Sequence, residues 1–168
     1  MGLFRRARRF DRRTARVLLL DAQDRLLLLR TEDRRTSTAE WLTPGGGVKA
    51  REALPAAAAR ELREEIGLRV TGAELGAPVA RTHGYLSGEW LTGWVEDVFF
   101  LHRVVAHEVD TGAMEAYERS AVTEHRWWGL PEIAATTERV VPLGLAPLLT
   151  GLIAGRVPAE PVELPWHH

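Results

Sequence analysis

Residues 41–68 read WLTPGGGVKAREALPAAAARELREEIGL, a stretch that joins a glycine-rich loop to a helix ending in acids. From Ala57 to Ile66 the chain carries strong helix formers, and Gly67 can take the left-handed conformation that closes a helix. The start is less regular. Ala53-Leu54 stands where a Ser, Thr or Asp cap would be expected, although Pro55 suits a first turn. At about 3.6 residues per turn, Glu61 and Glu65 lie one above the other with Glu64 beside them, and Ala58, Ala59, Leu62 and Ile66 form the neighbouring apolar stripe. Such a helix packs by its stripe and presents its acids along one edge.

Three carboxylates this close repel one another and raise each other's affinity for protons, so something must compensate if they are to stay ionised. A hard divalent cation does so: Mg²⁺ prefers oxygen ligands and is commonly shared between one or two carboxylates and a substrate's phosphates. Arg60 can hold one of the acids through a forked hydrogen bond. The plainer reading of a charged helix is a solvated face. Two features count against it here. Few basic residues sit one turn away, Arg60 with Glu64 being the main pair, and Pro44-Gly45-Gly46-Gly47 is too rich in glycine for surface filler.

Gly46, Glu52, Arg60, Glu61, Leu62, Glu64, Glu65, Gly67 and Leu68 resemble, at every spacing, the signature of the Nudix hydrolases. The motif covers Gly46 to Leu68 directly; beyond it the likeness lies in strand order and in the pair Trp127-Trp128. The resemblance implies an α/β fold, the Nudix α/β/α sandwich with a mixed sheet between helices. It implies cleavage of a pyrophosphate linkage in a nucleoside diphosphate linked to a group X, whether a nucleoside triphosphate, a dinucleoside polyphosphate or a nucleotide sugar. By position, Glu61, Glu64 and Glu65 are the implied ligands of Mg²⁺, or of Mn²⁺ in its place, with the Gly46 carbonyl a further one. Arg60 orients an acid. The general base comes from the box or a later loop, which leaves Glu61, Glu118 and Glu124, with Glu61 ranked first. Substrate contacts fall outside the box, and the candidates are Arg81, Tyr85, Trp90 and Trp127 with the two later glutamates.

Two other classes share the fold. A non-catalytic nucleotide-binding sensor usually loses acids from the box, and here none is lost. An isomerase of isoprenoid diphosphates would need a cysteine, and the chain has none.

The remaining sequence sets bounds around this site. A chain of 168 residues with 45% hydrophobic content suits one domain with a proper core. The formal net charge of −1 provides no global field for nucleic acid. The absence of cysteine excludes disulfides and thiolate metal sites and agrees with a cytoplasmic setting. The expected partner is a small nucleotide, with a homodimer left open and neither membrane nor nucleic acid expected.

The domain is expected to span residues 14–157, after a basic arm at 1–13 holding Arg5, Arg6, Arg8, Arg9, Arg12 and Arg13, and before a proline-rich tail at 158–168. Val17–Leu20 and Leu26–Leu29 read as a hairpin covered on both faces. Leu68–Val79 reads as extended, 94–105 as the clearest long strand, and Asp110–Glu124 as a long acidic loop. His125–Trp128 is a last strand, and a terminal helix begins near Pro147.

Overall fold

A computed structural model describes residues 9–89 and 91–168. Arg5, Arg6 and Arg8 of the basic arm and the candidate contact Trp90 therefore lie outside the described residues. Among those described, nine strands form one mixed sheet: β1 Arg12–Leu20, β2 Leu26–Asp33, β3 Thr38–Leu42, β4 Gly45–Gly47, β5 Ala80–Ser87, β6 Thr92–Arg103, β7 Val122–Trp128, β8 Val140–Val141 and β9 Val162–Glu163. Five helices accompany it: α1 Leu54–Ile66, α2 Gly72–Leu75, α3 Ala116–Ala121, α4 Leu130–Ala135 and α5 Leu145–Ile153.

Alternation along β1 builds the layers. Ala15, Val17 and Leu19 pack with Ala57, Ala58, Leu62 and Ile66 of α1, whereas Leu18 and Leu20 pack with Leu145, Leu148, Leu149 and Leu152 of α5. All these residues are nearly or wholly inaccessible to solvent. Of the expected apolar stripe of α1, Ala58, Leu62 and Ile66 are buried, Ala57 joins them and Ala59 is only partly buried, and the sheet lies between helices on both faces.

The sheet order is β8-β3-β2-β1-β6-β5-β9, with β4 added to β1 and β7 added to β2. The expected hairpin is only partly realised. β1 and β2 are antiparallel and paired at Leu20↔Leu26, but most of β1 runs parallel to β6. Where the two strands leave each other, β4 takes the free side of β1 through Thr14–Arg16, and β7 takes β2. The sheet therefore opens between its two central strands, and the opening is where the glycine loop and the acids of α1 meet.

Other elements depart from the sequence reading for local reasons. β1 begins at Arg12, inside the expected arm. Thr71 and Glu74 form a reciprocal capping box that turns the expected extended segment into α2. The expected acidic loop contains α3, capped by Glu115 and Glu118. The tail is part of the domain: β9 runs parallel to β5, and Leu164 enters the core. No helix among the described residues is long and apolar enough to cross a membrane.

Candidate active site

The glycine loop and α1 are tied together by Arg60. Its guanidinium grips both oxygens of Glu52 at 2.8 and 3.0 Å, donates to Glu61 Oε1 at 2.6 Å and Glu64 Oε2 at 3.1 Å, and reaches the Gly47 carbonyl at 2.9 Å. These hydrogen bonds from Arg60 hold the Glu52 carboxyl down at about 2, and they raise the Arg60 guanidinium further above its already high ordinary value. Glu52 in turn accepts the Lys49 N–H at 2.8 Å. The helix ends as its sequence suggests: Gly67 is left-handed, the Gly67 N–H bonds Arg63 O, and the Leu68 N–H bonds Leu62 O.

The loop is shaped by what cannot fit beside it. A Cβ on Gly46 would lie 2.7 Å from Glu61 Oε1, so the absence of a side chain lets the carboxylate rest against the backbone. Gly45 has a φ of 140°, and its N–H donates to Glu65 Oε2 at 2.7 Å. On the other side, Arg16 Nη1 donates to the Thr43 carbonyl at 2.9 Å.

Glu61, Glu65 and Glu118 converge. One carboxylate oxygen from each lies within 4.8 Å of the other two. Burial pushes the Glu65 carboxyl up to about 8 against the hydrogen bond from Gly45, with the neighbouring Glu61 and Glu118 adding to the rise. Burial also raises Glu61, opposed by Arg60. Burial thus disfavours the charged form of both Glu61 and Glu65. That donor set, all oxygen, with Glu61 and Glu65 buried and Glu118 half-buried, fits a hard divalent cation.

The cluster forms one wall of a cleft of about 200 Å³ whose other sides include Arg12, Arg16, Thr43 and Tyr117. A larger hollow of about 500 Å³ lies between the end of α1 and Asp110, and none of the three convergent acids lines it.

The remaining candidates divide. Gly46 lines the cleft, and Glu118 is carried into it by α3. Glu64, expected as a ligand, is not in the convergent trio or the cleft lining: Arg60 holds its Oε2, and it lines the larger hollow. Glu124 is exposed on β7 opposite Arg30, away from the cleft lining. Arg81 on β5 is paired with Glu163 at 2.8 Å, and Tyr85 is half exposed, edge-on to Trp94. Trp127 packs against the α1 side of the core. Arg103 and Arg126 bind Asp24 and Glu132; Glu96 is taken by Arg13. Sequence reasoning missed Arg12, Arg16 and Thr43. The first two belong to the basic N-terminal stretch of the sequence, and only the opening of the sheet brings them to the acid-lined cleft.

A mixed sheet opened at its centre, with a glycine loop, two buried carboxylates and the half-buried Glu118 in the opening, defines an α/β protein built around an acid-lined cleft. The model of the NUDIX domain family matches residues 11–147. An RNA pyrophosphohydrolase of Caulobacter vibrioides is 33% identical over 138 residues, covering 75% of this chain and 74% of the relative. Among solved structures, a MutT protein from Methanosarcina mazei Go1 superposes with a TM-score of 0.62 at 22% identity, over 86% of this chain and 94% of the other. An ADP-ribose pyrophosphatase from Streptococcus suis gives 0.56 at 15% identity, over 90% of this chain and 96% of the other. The chain belongs to the Nudix hydrolase family.

Proposed function

We propose that the protein is a cytoplasmic pyrophosphohydrolase that cleaves a phosphoanhydride bond in a nucleoside diphosphate linked to a further group, using Mg²⁺ or Mn²⁺. The observation that carries this reading is the convergence of Glu61, Glu65 and Glu118 in the cleft beside Gly46. These three acids would hold the metal, with the Gly46 carbonyl in the cleft wall as a further donor. When bound, a divalent ion neutralises charge on bridging phosphate oxygens and makes water a better nucleophile.

The protein's own groups do the rest. Arg60 fixes the spacing between glycine loop and helix by holding Glu52, Glu61, Glu64 and the Gly47 carbonyl at once. Glu61 takes the proton of the attacking water, aided by the burial that raises its proton affinity. Arg12 lines the cleft, and no hydrogen bond or ion pair of its side chain occurs among the described residues, so it is available to a phosphate that the acids would repel. The sequence relative is named for RNA and one structural neighbour for ADP-ribose. ADP-ribose contains a phosphoanhydride, and RNA carries one at a 5′ di- or triphosphate end, which agrees with this substrate class.

A panel of nucleoside triphosphates, dinucleoside polyphosphates, ADP-ribose and 5′-triphosphorylated RNA, with Mg²⁺ present, tests the proposal. Cleavage between phosphates in at least one of them is expected, with p-nitrophenyl phosphate left intact. Turnover of the phosphomonoester alone would overturn it.

A further inference from the structure

After β9 has joined β5 and Leu164 has entered the core, the C-terminal residues fold over a polar part of the sheet. Thr82 Oγ1 donates to the Pro165 carbonyl at 3.0 Å, and Arg139 donates to the carbonyl of His167. The indole of Trp166 lies on Gly84, where a Cβ would come within 2.4 Å of its ring atoms. His167 Nε2 stands 3.4 Å from Asp97 Oδ2, while Thr14 Oγ1 donates to the other oxygen of Asp97 at 2.6 Å. Thr14, Thr82 and Asp97 are buried beneath this cover.

The cover fits incompletely. Trp166 Nε1 and His167 Nδ1 are both buried and have no hydrogen-bond partner among the described residues. Unmade hydrogen bonds of this kind are unfavourable, and release of the segment would return both atoms to water. The covered surface also adjoins the cleft. Arg12 and Arg16, which line the cleft, flank Thr14 on the same face of β1, and the buried Thr43 hydroxyl in the cleft wall likewise has no hydrogen-bond partner among the described residues.

We infer that Trp166–His168 is a displaceable stopper seated on a subsite for a planar nitrogen heterocycle, the base of the nucleotide proposed above. The inference rests on that reading of the cleft. A glycine floor admits a flat ring, and the segment already lays one there. Asp97, with Thr14 and Thr82 beside it, offers acceptors to ring or amino N–H groups. Arg16 links this surface to the place where the phosphates go. Occupancy by the segment lowers the apparent affinity for nucleotide by the fraction of molecules that are open.

The test compares the full chain with a form lacking residues 166–168, which keeps Leu164 in the core. Hydrolysis is measured with the best nucleotide of the panel and with inorganic tripolyphosphate, which has no base. Removal of the stopper lowers KM for the nucleotide by about tenfold, with kcat and the tripolyphosphate KM unchanged. An unchanged nucleotide KM, or equal shifts for both substrates, overturns the inference and leaves the hydrolase reading intact. Trp166→Ala in the full chain gives the same readout if the shortened form does not fold. If neither form hydrolyses any nucleotide, the hydrolase reading fails, and calorimetric binding of AMP and GMP decides the subsite by itself: tighter binding to the shortened form supports it, and equal binding removes it.

Discussion

Replacing Glu65 by Gln separates the carboxyl's burial from its service to a metal. In metal-free protein, burial moves this group from 4.5 to about 8. A carboxyl that binds its proton more tightly in the folded chain contributes stability that is complete below 4.5 and lost as pH rises through about 8. His167 acts in the opposite sense. Burial, only partly offset by Asp97, lowers its imidazole from 6.5 to about 4, so the fold gains stability as pH rises across that interval. The two slopes oppose each other up to 6.5, and between 6.5 and about 8 the Glu65 slope is no longer opposed by His167, the raised Glu61 carboxyl acting in the same sense as Glu65.

There it amounts to at most about 1.4 kcal/mol per pH unit, or about 2 kcal/mol over the window. For a domain of this size that is a fall of about 4–8 °C in Tm. The Gln variant has no such proton to lose, and its amide oxygen can still accept the Gly45 N–H that now meets Glu65 at 2.7 Å. Thermal unfolding of EDTA-treated protein should therefore show the wild type losing stability from pH 6.5 to 8 relative to Glu65→Gln. Mg²⁺ added at pH 8 should raise the wild-type Tm and leave the variant where it was. Parallel pH curves would refute the claim that Glu65 is buried without sufficient compensation. An equal Mg²⁺ response in both proteins would refute its role in holding the ion.

Gly46→Ala should fold, yet lose about a hundredfold in kcat, because its Cβ would stand 2.7 Å from Glu61 Oε1 and push the carboxylate away; unchanged steady-state kinetics would remove this reading of the loop. Arg12→Gln should raise KM about tenfold or more with little change in Tm, since its exposed side chain lines the cleft with no partner among the described residues, and Arg12→Lys should recover part of the loss. Leu62→Ala removes a fully buried side chain between α1 and β1 and should destabilise the protein by about 2–5 kcal/mol in urea unfolding, whatever the state of the metal.

The helix α1 was legible because its period, its stop at Gly67 and its acids all lie within one turn or two of each other. The Arg60–Glu64 pair follows from the same local geometry. What the sequence did not reveal depends on distant pairing. Glu118 was one of three candidates for the base, and only the capped turn of α3 brings it to Glu61 and Glu65 while leaving Glu124 on β7 outside. Arg12 looked like part of a solvated arm because nothing in its neighbourhood shows that β1 starts there and that β2 turns away from it. The tail read as proline-rich spacer, since two residues of strand pairing and one buried leucine leave almost no periodic signal. Thr71 and Glu74, by contrast, carried a recognisable capping box inside a segment read as extended.

Manganese binding to EDTA-stripped protein at pH 8, followed by electron paramagnetic resonance, tests most directly whether Glu61, Glu65 and Glu118 act together. The wild type should bind Mn²⁺ saturably, and Glu118→Gln should bind it at least about tenfold more weakly with an unchanged circular dichroism spectrum. Equal affinity in the two proteins would place the metal somewhere other than between these three carboxylates.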